Sequence, residues 1–532
     1  MIETIQAAQA QQTITHKVTR KPFRLALASS RFTLPFILAL QALVSLFTLQ
    51  NSAFQDEALY LLAGRQIFQS WFGGPPVLDP YGTYFSGYPT FYPVIGGVLD
   101  MLGGLELARM FSLLCMLVVT ICAYYITKKL FNQQSAVFAA ALFACQGPVL
   151  FLSRLATYDA LCLCMLALAT LIAVYVSSAR RPWAALALGP LLLLAVTAKY
   201  AGILFIPTVL VLLAWQSLCC LGWRQMFARV GLAALSLALI GALAYWKMDK
   251  SVLVGLSATT TARVAVVDTP ASILLQHIVL LGGIAYLLAL IGLILLTFHR
   301  STSTFRFPAL LTFVILYGSS LLAPAYHIYK SELVSLDKHM AFSIFFIVPL
   351  AGYALSLFSG YLPTKSPRNQ APQRTVPRGR YWLTGLALCL VMFLIGTQQA
   401  QEDYAEWEYT GNLTYLLHTQ VQPNSGHYLA EEYDVARYYM QDVTASWQWS
   451  SLDYFSYTDK QQNHLLGVPA YKAAIQAGYF DLIELNYGYN AALAQHIYQD
   501  IGISHHYRLI AKLPYHNAYG DGYFWLWRKH AP

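Results

Sequence analysis

Eleven apolar stretches dominate this sequence, each close to the roughly 20 residues a helix needs to cross about 30 Å of hydrocarbon. They lie near residues 33–50, 105–127, 134–152, 159–178, 183–198, 200–218, 229–247, 273–297, 307–325, 340–360 and 381–398. A chain patterned in this way folds as a multi-spanning α-helical membrane protein, because a backbone in lipid must satisfy its own hydrogen bonds. The composition agrees: 57% of residues are hydrophobic and 11% charged, against roughly 25% charged in soluble domains. The eight cysteines all fall in the apolar stretches or directly beside one, so they carry no reading of redox compartment.

Charge orients the expected spans. Basic clusters occur at Lys17 to Arg31, Lys128 and Lys129, Arg180 and Arg181, Arg224 and Arg229, His299 to Arg306, and Lys365 to Arg380. With eleven spans every cluster falls on one side, which the positive-inside rule makes the cytoplasm. Merging the two short spans between residues 183 and 218 would invert everything downstream, so both are kept. Residues 1–32 are then a cytoplasmic N-terminal segment with an uncleaved first span after it. Residues 33–400 form the membrane module, with a long outer loop at 51–104, and residues 401–532 lie outside. The net charge of +9 divides unevenly: residues 1–401 carry 27 Lys and Arg against 11 Asp and Glu, and residues 402–532 carry 7 against 14. Loop topology accounts for the basic excess better than nucleic-acid binding does.

Residues 402–532 change character. HYLAEE, FDLIELN, YRLIAKLPY and GYFWLWR read as strands, and VARYYMQ, AYKAAIQAG and AALAQHIYQDI as helices, which predicts a small α/β domain. No internal repeat, Gly-rich phosphate loop, CxxC or HExxH motif is present, and Asn412 to Thr414 form a sequon. In the outer loop, FSGYPTFYPVIGGVLDMLGG is apolar but broken by Gly and Pro, and reads as a partly embedded interfacial helix.

The expected topology gathers unusual polar residues on the outer face. Asp56 and Glu57 in QDEALYLLAGR stand beside a span, where carboxylates are costly unless solvated, paired or used. A simpler reading is a short helix capped by Ser52 with both acids in its first turn. Arg154 and Asp159 lie in RLATYDA, where pairing with each other is the plainer expectation. Lys199 lies at the outer turn of TAKYAG, where snorkelling is the commoner fate. Arg263 and Asp268 lie in the loop before the eighth span. His327, Lys330, Glu332, Asp337, Lys338 and His339 crowd the loop after the ninth, where His327 could serve as an interfacial anchor and Lys338 with His339 could simply begin the tenth span. Carboxylates and cations facing one compartment suit a base that activates a hydroxyl while cations stabilise a departing phosphate.

On QDEALYLLAGR, YPTFYP followed by GLELARMFS, RLATYDALCLCMLALA and TAKYAGILFIP, the chain resembles the GT-C superfamily of membrane glycosyltransferases. The resembling branch holds the protein O-mannosyltransferases and lipid A aminoarabinose transferases. The likeness covers residues 33–220 and, loosely, 320–360. It implies a GT-C-like fold of about eleven helices with a small extracytoplasmic α/β domain, and inverting sugar transfer from a polyprenyl-phosphate donor to an acceptor hydroxyl on a protein, lipid or polysaccharide. Carried over, Asp56 is the base, Glu57 orients acceptor or donor, and Asp159 is the second acid of the site. Lys199 meets the donor phosphate, with Arg263, His327 and Lys338 as candidates by location. Asp56 and Asp159 are the candidate ligands of a divalent cation, Mg²⁺, Mn²⁺ or Ca²⁺. Two other classes compete: a transporter or flippase of lipid-linked glycans, which would need polar mid-span residues and repeated halves, and an inactive glycan-binding scaffold.

Overall fold

The computed structural model of the chain describes residues 32–265, 267–298, 303–358, 379–488 and 490–530. The N-terminal basic segment before residue 32, His299 and Arg300, and the basic linker from Lys365 to Arg378 lie outside the described residues.

All eleven expected spans meet helices. In chain order these are α1 (Thr33–Thr48), α2 (Gln55–Trp71), α3 (Tyr92–Leu130), α4 (Gln133–Ala144), α5 (Gly147–Ser153), α6 (Tyr158–Val176), α7 (Leu188–Ala198), α8 (Ile206–Leu221), α9 (Trp223–Lys247), α10 (Lys250–Thr259), α11 (Ala271–Phe298), α12 (Ser303–Ser320), α13 (Leu322–Lys330), α14 (Leu336–Phe358) and α15 (Gly379–Tyr404). Among the described residues eight helices are long and apolar enough to cross a membrane. The pair α4 and α5, bent by 67°, brings the number to nine, while α1 and the stretch Pro182–Ala198 are shorter apolar helices. The protein is thus a multi-spanning membrane protein.

The spans differ in how much of themselves they hide. In α14, 83% of the apolar window is buried, in α6 72%, and in α9 only 17%. Leu235, Leu239 and Leu243 of α9 stand exposed, as suits a helix facing lipid. The central place of α14 matters for function, because its first turn carries Lys338 and His339.

The outer loop is helical at both ends. YPVIGGVLDML opens α3, and the helix breaks at Gly103 and Gly104, where Gly104 has φ +69°. That left-handed backbone is one glycine adopts without steric cost. The opening turns of α3 approach α2 closely, since a Cβ on Gly64 would sit 1.6 Å from the Pro93 carbonyl oxygen.

The C-terminal region begins with α16 (Gly411–Gln420) and contains β1 (Tyr428–Ala430), α17 (Tyr433–Tyr439), β2 (Trp449–Ser450), β3 (Ser456–Thr458), β4 (His464–Leu466), α18 (Val468–Gln476), β5 (Leu482–Leu485), α19 (Ala491–Ser504), β6 (Tyr507–Asn517) and β7 (Gly520–Lys529). The five-stranded sheet runs β2-β1-β5-β7-β6, and β3 pairs β4 apart from it. β1 is parallel to β2 and β5, and β7 runs antiparallel to both β5 and β6. All four strands and three helices expected here have counterparts. α16, β2 and the β3–β4 hairpin are additions whose short sequences carry little periodicity.

Candidate active site

The first turn of α2 separates two neighbouring carboxylates. Glu57 accepts the Phe54 N–H at 2.9 Å, closing the start of the helix. Ser52 is not the cap; its hydroxyl donates to the Glu408 carbonyl at 3.2 Å and accepts the Thr410 N–H at 3.0 Å. Glu57 was expected to orient acceptor or donor, but its side chain is 0% exposed and paired with Arg109. The guanidinium meets it through Nε at 2.9 Å and Nη2 at 2.6 Å, and the Ala156 N–H reaches it at 2.7 Å. Arg109 also donates to the carbonyls of Asn51 and Ser52, at 2.8 and 3.0 Å. The loop before α2 is therefore held from below by a buried, charge-assisted network.

Asp56 points elsewhere. Its side chain is 34% exposed and one oxygen lies 2.5 Å from Lys338 Nζ, which is 8% exposed. Lys338 also lies over the Phe54 ring, 4.9 Å from its centroid. Asp159, in the first turn of α6, is buried and pairs with Lys199 Nζ at 2.5 Å. Its other oxygen accepts the Thr157 hydroxyl at 3.1 Å. The pairing expected between Asp159 and Arg154 does not form, because Arg154 meets Glu106 at 2.6 Å across sequence that local spacing does not link. Lys199 does not snorkel. The chain just after Phe85 pairs with its turn, the Tyr200 N–H donating to the Ser86 carbonyl at 2.7 Å and the Tyr88 N–H to the Thr197 carbonyl at 2.8 Å. The lysine so held turns inward.

The two acid–lysine pairs share one neighbourhood. Lys338 acts electrostatically on both Asp56 and Asp159. Tyr60 and Tyr158, whose hydroxyls are 2.6 Å apart, both act electrostatically with the two acids.

His327 and Lys338 do not share a loop as expected: His327 is in α13, Lys338 in α14, and only residues 331–335 intervene. Ser331 and Ser335 take positive φ of 51° and 68° to make that turn, a conformation uncommon outside glycine. It brings His327 Nε2 to 2.7 Å from His339 Nδ1, with His327 Nδ1 2.6 Å from the Glu332 carbonyl oxygen. A carbonyl only accepts, so His327 Nδ1 carries the proton. Arg263 joins this corner by its 3.4 Å pair with Glu332, whereas Asp268 stays on an exposed loop. Asp56, Asp159, Lys199 and Lys338 are thus brought together, His327 and Arg263 flank them, and Glu57 is withdrawn beneath.

The carboxylates named as candidate ligands of a divalent cation, Asp56 and Asp159, each face a lysine ammonium. Among the described residues no group of three or more His, Cys, Asp or Glu side chains is placed to hold a metal ion. As arranged, each of these two carboxylates is neutralised by a lysine.

The sequence reading missed the partners supplied from afar. Arg437 of α17 meets Asp79 at 2.6 Å, the Tyr438 hydroxyl donates to Asp100 at 2.6 Å, and the Tyr439 hydroxyl accepts the Ala53 N–H at 2.9 Å. Arg109 alone had a visible signal, as an arginine within an apolar helix, where a charge requires a partner.

A second acidic group lies where α15 joins the C-terminal region. Glu484 accepts the N–H groups of Glu431 and Glu432 at 3.0 and 3.1 Å, and Glu431 accepts those of Asn486 and Tyr487, both at 2.9 Å. The Asn486 amide bridges Glu408 and Glu432 at 2.7 and 2.8 Å. Burial pushes the Glu484 carboxyl up to about 8, and raises Glu432, with the neighbouring carboxylates adding to both.

Comparison with known proteins bears on the fold. A family model described as dolichyl-phosphate-mannose-protein mannosyltransferase matches residues 94–246. No curated protein sequence matches the chain. ArnT from Cupriavidus metallidurans, solved bound to undecaprenyl phosphate, superposes with a TM-score of 0.59 at 13% identity, over 93% of this chain and 98% of that one. The apo oligosaccharyltransferase of Archaeoglobus fulgidus superposes with a TM-score of 0.52 at 13% identity, over 93% of this chain and 74% of that one. The chain has the fold of the GT-C superfamily of membrane glycosyltransferases.

Proposed function

We propose that this protein transfers a sugar from a polyprenyl-phosphate donor to an acceptor hydroxyl at the extracytoplasmic face, with inversion at the anomeric carbon. The observation that carries the reading is the half-open Asp56 carboxylate facing Lys338, beside the enclosed Asp159–Lys199 pair. A displacement at the anomeric carbon needs a base on one side and a cation for the leaving phosphate on the other.

In this reading Asp56 takes the proton of the acceptor hydroxyl as its oxygen bonds to the anomeric carbon. The bond from that carbon to the phosphate oxygen breaks, and its electron pair leaves on polyprenyl phosphate, whose charge Lys199 and Lys338 stabilise. Asp159 holds Lys199 in place, and Glu57 with Arg109 positions the turn that presents Asp56. Arg263 supplies further positive field at the phosphate, with His327 beside it. The N-terminus lies in the cytoplasm and the C-terminal domain outside. The ArnT structure solved with undecaprenyl phosphate supports a lipid-phosphate donor.

The test is release of polyprenyl phosphate by purified protein supplied with polyprenyl-phosphate sugars. Asp56→Asn is expected to slow turnover by about 10² to 10⁴, the range for removing a general base, with an unchanged melting profile. Equal release by both proteins would refute the assignment of the base.

A further inference from the structure

We infer that the surface made by α17 with the outer loop, beside the start of α2, is an acceptor subsite for a carbohydrate. Resting on the transfer reading above, it narrows the acceptor from any hydroxyl to a sugar hydroxyl. Its parts are Gln55, Tyr84, Tyr433, Asp434 and Arg437. Gln55 is exposed and immediately precedes Asp56, and it acts electrostatically on Asp434 at the start of α17. The Tyr439 hydroxyl of the same helix accepts the Ala53 N–H at 2.9 Å, so α17 lies against the loop that leads into Gln55 and Asp56.

Arg437 lies one turn along the same helix. Its side chain is 2% exposed and Nη2 meets Asp79 at 2.6 Å, while the guanidinium lies over the Tyr433 ring at 4.6 Å. Its Nε is buried and finds no partner among the described residues. Such an unused donor on an enclosed charged group marks capacity for a further acceptor atom. Tyr84 leaves 41% of its surface open and acts electrostatically with Asp434, Arg437 and Tyr433. The set therefore combines a carboxylate, an amide and a guanidinium with two aromatic rings.

That combination matches a sugar. Neighbouring hydroxyls are bound by planar groups that donate or accept in pairs, and the C–H face of a pyranose packs on an aromatic ring. An acyl chain would require an apolar slot, which these five residues do not make. A peptide acceptor would be expected to pair with an open strand edge, and the backbone presented here is a helix, bonded internally. The wall is rigidly placed. Tyr438 and Tyr439 anchor α17 to Asp100 and Ala53, and Gln66 reaches the Ser446 hydroxyl at 2.6 Å.

The experiment measures binding and turnover separately on the full-length protein. Labelled oligosaccharides of neutral hexoses and of amino sugars, and a labelled Ser/Thr-rich peptide, are titrated against wild type, Asp56→Asn, Asp434→Asn and Tyr84→Ala. Tyr84 is partly open, so its truncation leaves the core intact if Asp434→Asn fails to fold. The expected result is oligosaccharide binding by wild type and Asp56→Asn, weakened about tenfold in the other two variants, with no peptide binding. With a turning-over donor, Asp434→Asn should raise the acceptor KM about tenfold and change kcat little, the signature of lost ground-state binding. Peptide binding without oligosaccharide binding, or indifference to both wall variants, would overturn the subsite and leave the transfer reading standing. Oligosaccharide binding by a wild-type protein that releases no polyprenyl phosphate from any donor would overturn the acceptor role along with the transfer reading.

Discussion

Two acidic regions of this molecule solve the same problem differently. At the membrane end, Glu57, Asp159 and Asp56 each face a cation, from Arg109, Lys199 and Lys338. Where the C-terminal region begins, Glu431, Glu432 and Glu484 are held by backbone N–H groups and the Asn486 amide. A cation lets a desolvated carboxylate stay ionised, whereas crowded carboxylates without one retain protons. The first arrangement sets an opposite charge against each carboxylate. The second holds its charge in check and joins two parts of the fold.

The comparison breaks most visibly at the buried pair. Glu57→Gln leaves the Arg109 guanidinium enclosed without its counter-charge and should cost about 3–5 kcal/mol of stability, read as a fall in melting temperature in detergent. Arg109→Met combined with Glu57→Leu should restore part of that loss, and failure to do so would show that the pair is not the cause. Next in size is Lys338→Gln, which keeps a polar side chain one bond shorter but removes charge from the proposed leaving-group site. Turnover should fall about 10²-fold, as for loss of one preorganised stabilising group, while Glu57 and its neighbours keep their stability.

The acidic junction offers a pH test. Glu484 is raised by burial to about 8, above its unfolded value, so the folded state binds the proton more tightly. Its contribution is full at low pH and declines as pH rises from the ordinary carboxyl range through about 8. The protection of the β1 and β5 amides relative to their unstructured exchange rates should therefore fall between pH 5 and about 9, and Glu484→Gln should flatten that trend. The smallest expected effect is Tyr439→Phe, which removes the acceptor for the Ala53 N–H at 2.9 Å. About 1 kcal/mol is expected, seen as a modest loss of kcat with acceptor KM unchanged if the contact positions α2.

Much of the fold was open to direct reading, for a physical reason. A lipid-facing helix advertises itself by length and apolarity alone, so all eleven expected stretches meet helices, though α1 and Pro182–Ala198 are shorter than a span and α4 with α5 is bent. Four strands of the C-terminal region showed themselves as short β-like stretches between helical ones, and the two-residue β2 was too short to do so. Asp56, Asp159, Lys199 and Lys338 were legible as polar residues at apolar borders. Their partners were not. Asp159 lay five residues from Arg154, yet it pairs with Lys199, 40 residues on, because helix packing and not spacing decides which side chains meet.

The Asp56–Glu57 doublet states the division most sharply. By itself the sequence determined that two carboxylates would start a helix at the edge of a membrane span, since apolar length, charge bias and helix-start preference are local properties. Which of them would be available for chemistry was decided only by the tertiary structure. Successive residues of a helix project in different directions, and here one direction led to the buried Arg109 of α3 and the other to Lys338 at the head of the most enclosed span.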